Sequence, residues 1–467
     1  MHLENKRVLV LGLGDTGLSA VRWLKRKGAV VRVADSRVAP PNASLLQKEF
    51  PDIQLDTGCF KESSFQNIDL IVSSPGIPVS EPMIVQAHSL GIPVVGDVEL
   101  FAQAANRKTS KIIAITGSNG KSTVTSMVGA MCKKAGLNTV MAGNIGLPVL
   151  DALLEVENSA KEGKAEPDVY VLELSSFQLE TTSSLNADAA AVLNVSEDHL
   201  DRYTGMQQYA DSKAKIFQGS GVQILNREDS YCNTMTIPGR TVKTFGMGEP
   251  QSEDEYGLKN KEGSLWLAQD GQALMSVKEL PVAGMHNAAN ALAALALCRS
   301  IGLPFELLLQ GLKEFSGLPH RVEWVLEIGS VNFYDDSKGT NVGATEAALN
   351  GMTEKVVLIA GGDGKGQDFS PLKAAVANHA RAVVLIGRDG DKIKSVITGC
   401  DVPILRAESM DEAVRLSFTQ AKAGDAVMLS PACASFDMFR NYEHRAHEFV
   451  RAAKELKSEI SLNGAQQ

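Results

Sequence analysis

Short apolar runs, glycine-rich turns and amphipathic stretches follow one another in the same order several times along this chain. Val8–Leu11, Val30–Ala34 and Asp69–Ser73 form a first set of runs, β-branched and nearly continuous, as strands buried on both faces are. Ile112–Ile115, Asn138–Ala142, the run from Val169 to Glu173 and Ala189–Leu193 form a second set. Val356–Ala360, Ala382–Ile386 and Ala426–Leu429 form a third. Helical stretches lie between them: one ends near Lys27, one begins at Asp97, and one runs from Lys121 through Met131. Strands alternating with helices predict parallel sheets, so the chain reads as α/β in three domains, residues 1–100, 101–317 and 318–467. The stretch Ala291–Cys298, apolar nearly all round, predicts a buried helix. The charged segment Glu155–Pro167 predicts a surface loop, residues 247–264 predict turns between short strands, and the polar tail after Ser458 is expected to fray.

The turn between Ile115 and the helix at Lys121 carries the strongest chemistry. Thr116-Gly117-Ser118-Asn119-Gly120-Lys121-Ser122-Thr123 is a strand, small-residue loop and helix start in the order a phosphate cradle requires. Its glycines let backbone N–H groups close on phosphate oxygens, and the helix N-terminus adds partial positive charge. Lys121 can reach terminal phosphates, and the hydroxyl of Ser122 or Thr123 can sit on Mg²⁺. The spacing is shorter than the usual P-loop, which would place a glycine where Ile115 stands. A nucleoside triphosphate is the ligand this stretch predicts.

The first set of strands opens with Gly12-x-Gly14-x-x-Gly17 and ends its second strand in Asp35. That is the dinucleotide fingerprint in its proper setting, and it promises a diphosphate on a helix N-terminus with a sugar or base near Asp35. It does not specify nicotinamide; another nucleoside diphosphate fits equally. Glu173, at the end of a strongly apolar run, is placed to hold Mg²⁺ beside the phosphate loop. His199 follows a strand at the edge where ligands collect, although a loop histidine among carboxylates is more often a surface or capping residue. Asn287 and Asn290 share a helix face at i, i+3 spacing and need partners for their amides. Lys213, read by itself, is a solvated helical lysine.

Composition narrows the setting. The 467 residues are 44% hydrophobic and 22% charged, with a net charge of −9 that argues against a broad nucleic-acid surface. Six cysteines without a C-x-x-C pair read as buried small residues in a reducing compartment. The first strand begins almost at the N-terminus, and no apolar run approaches a bilayer span, so a cytoplasmic protein without membrane insertion is expected.

Taken together, the motifs resemble the Mur ligase family of ATP-dependent amide-forming enzymes, and among these the members that add D-glutamate. The resemblance runs from Arg7 to about Ala453. It rests on the loop at 116–123, Gly143-Asn144-Ile145-Gly146, Glu173-Leu-Ser-Ser-Phe-Gln178, Asp198-His199, Tyr209-x-x-x-Lys213, His286-Asn287-x-x-Asn290, Leu318-Pro-His-Arg321, Asp336-Ser-Lys338 and Ser430-Pro-Ala-Cys-Ala-Ser435. The Asp-Asn-Pro-Arg motif typical of diaminopimelate-adding relatives is missing.

The resemblance implies a Rossmann-like first domain binding UDP-N-acetylmuramoyl-L-alanine, a central P-loop-type ATPase domain, and a Rossmann-like third domain binding D-glutamate. Catalysis would then centre on Lys121, Glu173, His199 and Lys213. ATP would meet Gly117, Ser118, Asn119, Gly120, Lys121, Ser122, Thr123, Asn287, Asn290, Arg321, Asp336 and Lys338. Two Mg²⁺ sites would draw on Ser122, Glu173, His199 and a carbamylated Lys213. The UDP substrate would meet Gly14, Asp15, Thr16, Asp35, Ser36, Arg37, Gly76, Asn144 and Gln178; D-glutamate would meet Thr340, Lys365, Ser435, Phe436 and Tyr442. A monomer is expected. Asp15, Ser36 and Tyr442 depart from the family pattern, Asp15 by setting a negative charge beside the expected diphosphate. Readings that compete are another Mur ligase, a folylpolyglutamate synthase-like ligase, a nicotinamide-dependent dehydrogenase and a P-loop switch; the last two leave much of this residue set without a role.

Overall fold

Hydrogen-bonded ladders gather the apolar runs into three sheets. The computed structural model describes residues 2–105, 108–282 and 284–464. The chain divides into two compact units, one of Met1–Val195, Gln207–Met275 and Ala291–Leu312, the other of Ser196–Met206, Ser276–Asn290 and Lys313–Gln467.

The first unit holds two sheets. One orders its strands Leu55–Thr57, Val30–Asp35, Arg7–Leu11, Leu70–Ser73 and Val94–Val95, all parallel. The outer two are only three and two residues long, too short to show in the hydrophobic pattern. The other sheet has nine strands. It runs parallel from Thr139–Gly143 through Val169–Glu173, Lys111–Thr116, Ala189–Val192, Val222–Asn226 and Val242–Phe245 to Glu255–Lys261. The antiparallel Ser264–Gln269 and then Gln272–Ser276 complete it. Ile112, Ile113, Ala114 and Ile115 are at most 1% exposed, which explains why this run carries no alternation.

The second unit holds a six-stranded sheet ordered Glu323–Ile328, Val331–Asp335, Ala426–Leu429, Val356–Gly361, Ala380–Ile386 and Ile404–Arg406. Only its first pair is antiparallel.

Three expectations are corrected. Glu155–Pro167 is not simply a loop, because a helix spans Val149–Lys161 and takes in its first half. Val149, Leu150, Ala152 and Leu153 are buried, while Asp151 meets Arg22 of the helix Asp15–Arg26 and Glu157 meets Lys27 just past that helix's end. Charge here marks an inter-helix surface. The tail does not fray at Ser458, since the last helix runs to Gly464 with Arg415 clasping Glu459 in a bidentate pair. Of the cysteines, Cys59 is exposed and Cys400 half-buried, and none of the six forms a disulfide.

Close approach explains one fingerprint glycine. A Cβ on Gly17 would stand 1.9 Å from the carbonyl oxygen of Gly12, so the first turn of the helix can pack on the loop only without a side chain. Gly14 has nothing within 4 Å of that position. Gly17→Ala is therefore expected to destabilise the protein by about 3 kcal/mol and Gly14→Ala by less than about 1 kcal/mol, as measured by urea unfolding.

Candidate active site

The phosphate loop leaves the sheet after Thr116 and turns into the helix Lys121–Lys134 through Gly120, whose φ of +83° falls in the left-handed region. Asn194, just past the neighbouring strand, clamps it: its carbonyl accepts from Ser118 N, its side-chain oxygen accepts from Asn119 N, and its amide donates to Asn119 O. Lys121 Nζ donates to the carbonyls of Gly117 and Ser118 at 2.8 and 2.9 Å. The orphan N–H groups of the helix start and this ammonium make the loop an anion site.

Two buried ionisable groups belong to the same neighbourhood. Glu173, 1% exposed, pairs in register with Ile115 on the adjacent strand. Its Oε1 accepts from Asn144 Nδ2 at 2.8 Å, and its Oε2 is buried with no hydrogen-bond partner among the described residues. A buried carboxylate oxygen left without a donor is costly unless a cation takes it, so the residues present fit Mg²⁺. Lys213 corrects the solvated reading. The helix Met206–Ala214 turns it inward to 1% exposure, with Nζ 2.9 Å from Gly117 O and 4.3 Å from the centre of the Tyr209 ring. Tyr209 in turn accepts from Ser118 Oγ.

All nine residues that the resemblance assigns to the UDP substrate line one cavity of about 750 Å³. Asp35, 1% exposed, holds its rim. The carboxylate accepts from Leu13 N at 2.7 Å and from the Arg37 guanidinium at 2.6 and 2.9 Å. Burial alone would raise its pKa, but Arg37 and the N–H groups of Leu13 and Arg37 outweigh it and hold the pKa near about 2. Asp15 accepts from Asn42 Nδ2 at 3.0 Å. The odd carboxylate therefore has a donor of its own at the mouth of the fingerprint loop.

In the second unit, backbone bonds stitch three loops together. Ala432 N donates to Gly339 O, beside Thr340, and Asp363 and Ala434 exchange both their bonds, joining the loops of Lys365 and Ser435. Lys365 Nζ and Asn341 Nδ2 each approach Asp198 at 3.4 Å. His199, next to Asp198, has a φ of +56°, with Nε2 3.5 Å from that carboxylate. Strain of that kind is held in place only by what surrounds it. Lys338 Nζ donates to the Tyr442 hydroxyl at 2.8 Å, Asn290 Nδ2 to Asn287 Oδ1 at 3.2 Å, and Phe436 is 73% exposed.

Asp336 accepts from Ser430 Oγ at 2.6 Å and from Val322 N at 3.3 Å. Burial first, and Asp335 beside it, push its pKa up to about 7 despite Ser430, Arg321 and Val322. Between the ordinary aspartate range and that value the native state keeps a proton that the unfolded chain has lost. Stability from this group therefore falls as pH rises through that interval. Asp336→Asn is expected to stabilise the protein over wild type by about 1–3 kcal/mol more at pH ~8 than at pH ~5, seen as a larger rise in melting temperature at the higher pH in paired thermal scans.

Residue types alone missed several groups. Arg445 is fully buried; it donates to Ser337 Oγ, Ser337 O and Cys433 O, and so ties the Asp336–Lys338 loop to the Ser430–Ser435 loop. An arginine on an amphipathic helix ordinarily signals solvent, so nothing in the pattern marked it. Asn194 was legible in principle, as an amide closing a strand beside a phosphate loop. One histidine and acidic trio among the described residues, His320, Glu323 and Asp335, brings ligand atoms within 4.8 Å of one another. Hydrogen bonds already engage them: His320 Nδ1 with Asp335, and His320 N with Glu323.

Comparison with known proteins covers nearly the whole chain. The Mur ligase MurD-like N-terminal domain matches residues 6–96, the Mur ligase middle domain 115–298, and the Mur ligase glutamate ligase domain 320–433. The UDP-N-acetylmuramoylalanine–D-glutamate ligase of Nitrosospira multiformis is 57% identical over 463 residues, 98% of this chain and 97% of the relative. That of Methylobacillus flagellatus is 56% identical over 99% of this chain and 100% of its own. Among solved structures, the UDP-N-acetylmuramate–alanine ligase MurC of Thermotoga maritima superposes with a TM-score of 0.59 at 19% identity, covering 97% of this chain and 100% of that one. Escherichia coli FolC in complex with ADP gives 0.56 at 17%, over 82% and 99%. These two likenesses show the fold.

Proposed function

The chain belongs to the Mur ligase family, and from that membership we propose that it joins D-glutamate to UDP-N-acetylmuramoyl-L-alanine in peptidoglycan precursor synthesis, converting ATP to ADP and phosphate. The observation that carries the reading is the end-to-end identity of 57% to a ligase of that name. The cavity lined by all nine expected substrate residues supports it.

A carboxylate is a poor electrophile. Transfer of the γ-phosphoryl group to the alanyl carboxylate gives an acyl phosphate; the D-glutamate amine attacks its carbonyl carbon, loses a proton, and phosphate leaves from the tetrahedral intermediate. The protein's work is positioning and charge neutralisation. Lys121 and the loop N–H groups hold the β and γ phosphates, while Asn287, Asn290, Arg321, Asp336 and Lys338 are assigned to the rest of ATP. Ser122, Glu173, His199 and a carbamylated Lys213 would hold Mg²⁺, which when bound screens the phosphate charges. Thr340, Lys365, Ser435, Phe436 and Tyr442 are assigned to D-glutamate, with Lys365 answering a substrate carboxylate. Domain limits near residues 100 and 317, a monomeric state and a cytoplasmic location belong to the same proposal. No helix among the described residues is long and apolar enough to cross a membrane.

Phosphate release measured with ATP, UDP-N-acetylmuramoyl-L-alanine and single amino acids tests the reading. Release dependent on D-glutamate is expected; release with L-lysine or diaminopimelate but not D-glutamate would refute it.

A further inference from the structure

Gln178 lines the sugar-nucleotide cavity, yet its side chain is 4% exposed and already engaged at both ends. Its Oε1 accepts from Ser175 N at 3.1 Å and from Ser175 Oγ at 3.3 Å, closing a capping box on the short helix Ser176–Glu180. Its Nε2 donates to Asp97 Oδ2 at 3.2 Å. Asp97 is the first residue of the helix Asp97–Ala104, 1% exposed, and comes from the segment that leaves the first sheet. Burial pushes its pKa up to about 6, against the bond from Gln178 and the N–H groups of Val98 and Asp97 at its own helix start.

Those two neighbours decide which way the Gln178 amide faces. A backbone N–H can only donate, so the amide oxygen must face Ser175 N, which leaves the nitrogen to face Asp97. One of the two amide hydrogens is used by Asp97. The other is left for the cavity, where Gln178 can offer a donor and never an acceptor. The surrounding packing holds this arrangement in place. Glu99, two residues along the same helix, accepts from Ser183 N, Ser184 N and Ser184 Oγ, pinning the segment that follows the helix of Gln178. A Cβ on Gly96 would collide with Thr181 Oγ1, so the start of the helix Asp97–Ala104 packs directly on the end of the helix Ser176–Glu180.

We propose that Asp97 is a positioning residue for the sugar-nucleotide site: it fixes the Gln178 amide so that an N–H points at an acceptor oxygen of the UDP-linked substrate. The inference rests on the ligase reading above. The test is a double-mutant cycle on the Kd for UDP-N-acetylmuramoyl-L-alanine, read by calorimetry beside the Kd for ATP. Asp97→Ser keeps a polar group at the helix start but is too short to reach Gln178. It is expected to weaken sugar-nucleotide binding about tenfold with ATP binding unchanged. On a Gln178→Ala background it is expected to add less than about twofold, and Asp97→Asn, which retains an acceptor, to stay within about threefold of wild type. Additive losses, an equal loss of ATP affinity, or wild-type binding by Asp97→Ser would overturn the proposal. If the serine variant does not fold, the asparagine variant decides alone, a tenfold loss counting against. Wild-type protein that does not bind the sugar nucleotide at all would remove the ligase reading as well. Tight binding with an additive cycle removes only the role of Asp97.

Discussion

Lys213→Ala is expected to lower kcat for D-glutamate-dependent phosphate release by about 10³-fold, with part of the activity returned by acetate or formate. An ammonium at 1% exposure, with Nζ 2.9 Å from the Gly117 carbonyl oxygen and over the Tyr209 ring, has little of the hydration it would have in water, and taking a charge out of water is costly. Loss of a proton and addition of CO₂ to the amine would give the proposed carbamate, which would offer oxygen ligands to a hard cation where an ammonium offers none. Glu173 Oε2, buried without a partner among the described residues, supplies a second oxygen of the same kind. A short carboxylate diffusing into the space left by the alanine would stand in for the oxygens of the proposed carbamate, hence the expected partial rescue. Lys213→Met separates chemistry from packing, since it is close in volume. It is expected to fail as badly as alanine, and a methionine variant with wild-type turnover would remove the carbamate role.

Lys213 also marks where reading the sequence stops. Strand runs were legible because strands buried on both faces are nearly continuous in apolar residues; Ile112–Ile115 is at most 1% exposed throughout. The phosphate loop was legible because its function demands a local order of small residues between strand and helix. Edge strands such as Val94–Val95 were not, being too short to carry a period. The helix Val149–Lys161 was missed because its charges answer Arg22 and Lys27 on another element, a relation that no window of sequence contains. Buried ionisable side chains fail for the same reason. Nothing local separates Lys213 or Arg445 from a solvated lysine or arginine on a helix. Family resemblance points to Lys213 where periodicity cannot, and only packing picks out Arg445 and Asp97.

Lys121→Ala is expected to abolish the stabilisation that ATP gives in the presence of Mg²⁺, and to lower kcat/KM for ATP by about 10³-fold. In wild type, nucleotide at a hundred times its Kd adds about 2.7 kcal/mol to stability by mass action; in the variant the melting temperature should no longer respond at that concentration. Two roles of the side chain contribute. Its Nζ holds the carbonyls of Gly117 and Ser118 at 2.8 and 2.9 Å, so the loop loses a brace, and the phosphates lose the one ammonium in the loop. Lys121→Arg tells them apart. A guanidinium keeps the charge but is bulkier and planar, so it is expected to restore some loop order while still failing to seat the terminal phosphates. Affinity for UDP-N-acetylmuramoyl-L-alanine provides the control, because Lys121 does not line the cavity of Gly14, Asp35 and Gln178. That affinity should stay within about twofold of wild type, as distant sites with no shared partner behave. Undiminished ATP-induced stabilisation in Lys121→Ala would show that the triphosphate binds elsewhere.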